Sequence, residues 1–149
     1  MITFDAQKRI FKLDTPNSSY VIGIFDENYL LNLYYGEKIP DVNLWANAKR
    51  LKSSSFSPAN PNFKDEYASV DVLPMEYPTN GAGDFRISAL KIKNSDGNSV
   101  TDIRYVSHKI YEGKPSIAPL PAIYLNNDGE ADTLEILAED ALTGIKITL

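Results

Sequence analysis

The sequence predicts an all-β domain in which twisted antiparallel strands stack as a sandwich. Three observations carry this. Short runs rich in β-branched and aromatic residues recur, notably over 20–25 and 29–35. Turn signals separate such runs: Thr15-Pro16-Asn17, Asp26-Glu27-Asn28, Asn94-Ser95-Asp96-Gly97 and Asn126-Asn127-Asp128-Gly129. The last segment places apolar residues at Leu134, Ile136, Leu137, Leu142, Ile145, Ile147 and Leu149, largely in alternation.

Taken in order, Ile10, Phe11 and Leu13 open an apolar pattern, and residues 15–19 turn the chain. Residues 20–25 and 29–35, joined by a turn at 26–28, form an antiparallel meander that ends at Gly36. Residues 37–67 are the least regular part, punctuated by Pro40, Pro58 and Pro61. A short helix is expected at 41–51, with Leu44, Trp45, Ala48 and Leu51 near one face. An irregular connection of this length points to a functional loop or a mobile segment. Strands are then expected at 67–73 and 87–92, with a hairpin at Asp96-Gly97, then two within 100–111, the returning one and its neighbour, and one at 123–125. Pro115, Pro119 and Pro121 disfavour a central strand between the last two. Local preference at 135–141 leans to helix.

Between the expected strands at 67–73 and 87–92 lies Glu76-Tyr77-Pro78-Thr79-Asn80-Gly81-Ala82-Gly83-Asp84-Phe85-Arg86, a shaped loop. Pro78 restrains Tyr77 to extended or turn geometry. Gly81 and Gly83 permit close approaches that a side chain forbids. Asp84 ties down nearby N–H groups, and Arg86 offers a rigid fork for carboxylates or carbonyls.

Composition narrows the function. The 149 residues suffice for one domain with its own core, and the net charge of −5 argues against nucleic acid or an anionic membrane as partner. There is no cysteine, so disulfides, thiolate chemistry and cysteine metal sites are excluded, which fits a cytoplasmic setting. No secretory leader and no membrane-length apolar run is visible. His108, the single histidine, is expected to be structural, and the two Asp-Gly loops lack the twelve-residue calcium pattern. No cofactor or metal is implied.

Glu76-Tyr77-Pro78 followed by Gly83-Asp84-Phe85-Arg86 resembles the signature in the N-terminal domain of glycoside hydrolase family 36, the bacterial-type alpha-galactosidases. Ser19-Tyr20-Val21, Leu33-Tyr34-Tyr35-Gly36, Phe56-Ser57-Pro58, Ile110-Tyr111-Glu112-Gly113-Lys114-Pro115, Leu120-Pro121-Ala122 and Thr133-Leu134-Glu135 also match, in family order. The resemblance implies a partial β-supersandwich of the galactose mutarotase-like type, and strand rather than helix near residue 135. It implies that residues 1–149 are roughly the first half of the N-terminal domain, without the catalytic barrel and the C-terminal β domain. The segment stops at Leu149 in mid-strand, so exposed edges that pair with another copy are expected.

A retaining glycosidase needs two carboxyl groups about the scissile bond. The resembled family carries them on its barrel, so no catalytic residue is assigned here and the chain alone is expected to be inactive. The resemblance implies a parent enzyme acting on terminal alpha-D-galactosyl linkages, in oligosaccharides such as melibiose or raffinose, and a homo-oligomer. In that family this region packs on the barrel and helps shape the sugar pocket or a subunit interface. The candidate contributors are Trp45, Ser53, Asp65, Asp84 and Arg86. Some relatives place a carboxylate before Phe56-Ser57-Pro58, where this chain has Lys52-Ser53-Ser54-Ser55. A serine lacks that charge, and Asp65 is the candidate substitute. Two other classes stay open: a stand-alone carbohydrate-binding module and a structural or oligomerisation β domain.

Overall fold

A computed structural model describes residues 1–51, 63–81, 83–121 and 123–149, with the side chain of Asp128 set aside. Two antiparallel sheets form. The first, in the order β1-β2-β3-β4, comprises β1 (Ile2–Asp5), β2 (Ile10–Asp14), β3 (Ser18–Ile24) and β4 (Leu30–Glu37). The second, in the order β5-β6-β7, comprises β5 (Arg104–Glu112), β6 (Asp132–Glu139) and β7 (Lys146–Thr148). The expected all-β antiparallel sandwich is therefore present.

The first sheet is buried on both faces, because successive side chains point to opposite sides. Phe11, Ile22, Ile24 and Leu30 face the second sheet and meet Ile136, with Phe4, Tyr105 and Leu134 packed at the margin. Ile10, Val21, Leu31 and Leu33 point the other way, where irregular segments bring Ala48, Ala68, Val70 and Leu73 down as a lid. This explains why neighbouring Ile10 and Phe11 are both 0% exposed. A sheet covered on both faces reads as a continuous apolar run rather than an alternation. His108, expected to be structural, packs among aromatic rings. Its ring lies 4.4 Å from that of Phe4 and 4.7 Å from that of Phe11, with Nδ1 2.8 Å from the Tyr105 hydroxyl.

The meander of β3 and β4 matches the sequence pattern, with Tyr20 opposite Tyr35 and a register shift between Val21 and Ile22. Its connection is a 3-10 turn, Asp26–Asn28, in which Glu27 and Asn28 take φ of 55° and 65°. Residues 132–139 are strand, as the family resemblance implied and against the local helical preference. Cross-strand pairing of β6 with both β5 and β7 overrides propensity there.

Several expected elements differ. Residues 67–73 form turns, with the Val72 and Leu73 amides both donating to the Ser69 carbonyl. The apolar residues there cap a core rather than extend a sheet. Residues 87–92 hold only an isolated parallel bridge, Thr79 to Leu90. Residues 123–125 pair with nothing as strand, and Ile123 and Tyr124 are 80% and 85% exposed. The helix expected at 41–51 shrinks to the 3-10 turn Trp45–Asn47. There Asp41 accepts from the Asn43 amide, and the Asn47 side chain caps the Leu33 carbonyl. Asn94 to Asn98 closes as a turn, 2.8 Å from amide to carbonyl, yet no paired strands flank it. Residues 100–111 supply one strand rather than two, and β1 has no counterpart in the sequence expectations.

Among the described residues, no helix is long and apolar enough to cross a membrane.

Candidate functional site

The central loop is a pinned structure. Asp84 is 6% exposed and sits under Arg86. Arg86 Nε donates to Asp84 Oδ1 at 2.9 Å, and Nη2 donates to Oδ2 at 2.8 Å. Nη1 and Nη2 also reach the carbonyls of Leu73 and Val70, at 2.5 and 2.6 Å. The fork thus joins the loop to the turns that lid the first sheet. Gly81 and Asp84 bridge antiparallel, and Thr79 Oγ1 donates to the Thr101 carbonyl at 2.9 Å. The two residues picked out by the sequence signature come together, and they spend most of their hydrogen-bonding capacity on their own chain.

At the start of the same loop, Glu76 enters the sandwich. Tyr20 donates its hydroxyl to both Glu76 oxygens, at 2.5 and 2.7 Å. Asn32 Nδ2 donates to the Tyr20 oxygen at 2.8 Å and to Glu76 Oε2 at 3.1 Å. Burial first, then the adjacent Glu76 carboxylate, push the Tyr20 phenol up to about 12. Sequence reasoning missed this link. Glu76 and Tyr20 each lie in a family motif, but they are 56 positions apart and nothing local joins them.

A second polar junction ties the sheets. Arg104, at the start of β5, donates to Asp102 Oδ2 from Nε at 3.0 Å and from Nη2 at 2.6 Å. Its Nη1 reaches Glu27 Oε2 at 3.2 Å, and its guanidinium lies 4.7 Å from the Tyr29 ring centroid. Burial, then the Asp102 charge, hold the Tyr29 phenol well above its ordinary range, and Tyr29 donates to Asp102 Oδ1 at 2.9 Å.

Trp45 borders a cleft of about 320 Å³ with Lys8, Arg9, Phe25, Asp26 and Arg50. Its Nε1 donates to the Lys8 carbonyl at 2.9 Å, and its ring lies 5.9 Å from that of Phe25. One indole edge is thus fixed while the side chain stays half-buried. Arg50 Nε donates to Asp65 Oδ2 at 2.7 Å, and this hydrogen bond holds the Asp65 carboxyl below its usual range. Arg50 and Asp65 flank residues 52–62, so their pair closes the neck of the irregular insertion. Ser53 and Phe56-Ser57-Pro58 lie outside the described residues. The predicted site residues therefore fall in two places, Trp45 with Asp65 about the insertion and Asp84 with Arg86 in the central loop.

Two packed antiparallel sheets, with loops held by partly buried ion pairs and carbonyl clamps, define a scaffold-type β-sandwich domain. The chain belongs to the glycosyl hydrolase family 36 N-terminal domain family, whose model matches residues 28–149. Alpha-galactosidase AgaA of Geobacillus stearothermophilus is 40% identical over 148 residues, covering 99% of this chain and 20% of that protein. Alpha-galactosidase Mel36A of Lactobacillus acidophilus is 34% identical over 149 residues, covering 100% of this chain and 20% of that protein. The crystal structure of the GH36 alpha-galactosidase AgaB from Geobacillus stearothermophilus aligns over the whole chain, and over 20% of its own, with a TM-score of 0.87 at 41% identity. The galactosidase domain of the alpha-galactosidase-sucrose kinase AgaSK gives a TM-score of 0.91 at 34% identity, again over the whole chain and 20% of its own. The chain thus spans about a fifth of the length of these relatives.

Proposed function

We propose that this chain works as the N-terminal, non-catalytic part of an alpha-galactosidase that cleaves terminal alpha-D-galactosyl linkages with retention. The observation that carries the proposal is end-to-end similarity to alpha-galactosidases, 40% identity across 99% of the chain. Retaining chemistry uses a nucleophilic carboxylate and a second carboxyl group as acid and then base. In this reading those groups belong to a catalytic barrel beyond this region. Structures of AgaA variants in complex with raffinose and with stachyose support alpha-galactoside oligosaccharides as the substrate class.

The apolar surface supports the same reading. Ile87 is 89% exposed, Phe85 71%, Tyr124 85% and Leu142 93%, and covering such residues is what a docked barrel and the rest of a supersandwich supply. Trp45, Ser53 and Asp65 in and about the insertion are the proposed contacts to the sugar pocket or a neighbouring subunit of a homo-oligomer. Asp84 and Arg86 act by holding the central loop in shape for that contact. The absence of cysteine supports a cytoplasmic setting.

The test compares this chain with the full-length product of its gene on raffinose. Galactose release by the full-length protein and none by this chain is expected. No release by the full-length protein, or release by this chain alone, overturns the proposal. The Trp45 cleft favours a second reading, a carbohydrate-binding module. Calorimetric titration of this chain with raffinose decides it, since saturable binding is required.

A further inference from the structure

Asn80-Gly81 is the single Asn-Gly step in the chain, and Asn80 is exposed. We propose that Asn80 is a self-modification site, converting to aspartate and isoaspartate through a cyclic imide formed with Gly81. The Gly81 amide nitrogen attacks Asn80 Cγ, the Cγ–Nδ2 bond breaks, and ammonia leaves. Water then opens the five-membered ring. Cleavage of the nitrogen bond to Cγ gives aspartate. Cleavage of the nitrogen bond to the main-chain carbonyl carbon gives isoaspartate, in which the backbone runs through the side chain. No electrons are gained or lost, and water is the only co-reactant.

Three features single out this step. Gly81 has no side chain to screen the approach, and its φ is 150°, an angle that other residues rarely adopt. Asn80 is exposed, and its side chain makes one long hydrogen bond, Nδ2 to the Ser99 carbonyl at 3.3 Å. Among the described residues, the following asparagines are better held, or their following amides are occupied. Asn98 Oδ1 accepts from Asn94 Nδ2 at 2.8 Å and from the Val100 amide at 2.9 Å. Asn126 is bound to Glu130. The amides after Asn17, Asn28, Asn43 and Asn47 donate to Thr15 Oγ1 and to the carbonyls of Asp26, Val42 and Trp45 respectively.

The seat of this dipeptide is tight. The Thr101 amide donates to the Asn80 carbonyl at 2.8 Å. A Cβ on Gly81 would lie 2.5 Å from Val100 Cγ1 and 3.1 Å from the Thr101 carbonyl oxygen. Isoaspartate lengthens the backbone by one carbon at residue 80 and so displaces Gly81 within that space. The new carboxylate also turns the Ser99 contact from attraction into repulsion. Conversion therefore unseats Thr79, Asn80 and Gly81 from residues 99–101, the lead into β5.

The experiment ages the folded chain at mildly alkaline pH and physiological temperature. It follows each asparagine by peptide mass spectrometry with isoaspartyl methyltransferase labelling. The expected result is a gain of about one dalton and an isoaspartyl label at Asn80 before any other asparagine. Anion exchange then shows a species one negative charge beyond the starting protein, with an earlier thermal transition. Asn80→Ser removes the label and the acidic species; if that variant does not fold, the order of conversion in the unsubstituted chain still decides. Asn80 remaining intact while another asparagine converts, or reacting in urea but not in the folded chain, overturns the proposal.

Discussion

Arg86 holds Asp84 through two hydrogen bonds, at 2.9 and 2.8 Å, and reaches past it to the carbonyls of Val70 and Leu73. One guanidinium thereby orders the central loop and the turns that cap the first sheet. Replacing Arg86 with alanine strands a carboxylate whose side chain is 5% exposed. The expected cost is about 3 kcal/mol, the lower end for breaking a buried pair, because Arg86 keeps 35% of its own exposure. Arg86→Lys keeps the charge without the planar fork and rescues only part of the loss. Urea denaturation of the three proteins measures both effects.

Tyr20 and Glu76 couple stability to alkaline pH. The phenol is raised from 10.0 to about 12, by burial first and by Glu76 next, so the fold favours the neutral form. Its contribution is complete below pH 10 and is lost as pH climbs toward about 12. Tyr20→Phe removes that share of the alkaline loss. At neutral pH it costs about 1–3 kcal/mol, because among the described residues Glu76 keeps only Asn32 as a side-chain partner. Denaturation curves at several alkaline pH values, compared with the unsubstituted chain, give the answer.

Asp14 sets an acid limb. Hydrogen bonds from the Lys12 ammonium, then from the Ser19 hydroxyl, hold its carboxyl below the ordinary 3.8. Because the folded value is lower, stability is present above 3.8 and is lost as pH falls through the folded value. Asp14→Asn is expected to be less stable at neutral pH and to lose less on acidification, as read from thermal transitions at both ends of that range.

Gly23 faces the single tryptophan. A Cβ there would stand 2.6 Å from Trp45 Cη2 and 2.8 Å from Leu33 Cδ1. Gly23→Ala is expected to cost about 1–3 kcal/mol by overpacking. It also moves the indole away from Phe25 and the Lys8 carbonyl, which Trp45 fluorescence reports. An unchanged emission spectrum would show that the neighbours absorb the methyl group without moving the ring.

Much of the fold was legible where the information is local. The β3–β4 meander follows from β-forming runs and the turn at Asp26–Asn28, because a short antiparallel connection needs only neighbours in sequence. Asp84 as a tie for local N–H groups and Arg86 as a donor fork were legible separately, while their pairing with each other needed coordinates. Residues 67–73 and 87–92 were misjudged because apolar β formers serve equally well as strands and as caps on a sheet. Ala68, Val70 and Leu73 are the second kind. The Arg50 and Asp65 pair beside the insertion needed coordinates, because the two residues are 15 positions apart.

The amino-acid order alone determined the all-β class, the first meander, the exclusion of cysteine chemistry and the family signature. Each depends on residue type or on contacts a few positions long. Tertiary structure decided which apolar runs became strands, that Ile10 and Phe11 face two different cores, and that Tyr20 meets Glu76 across 56 positions. Long-range pairing and burial are set by the whole set of competing contacts. No short stretch of sequence carries that balance by itself.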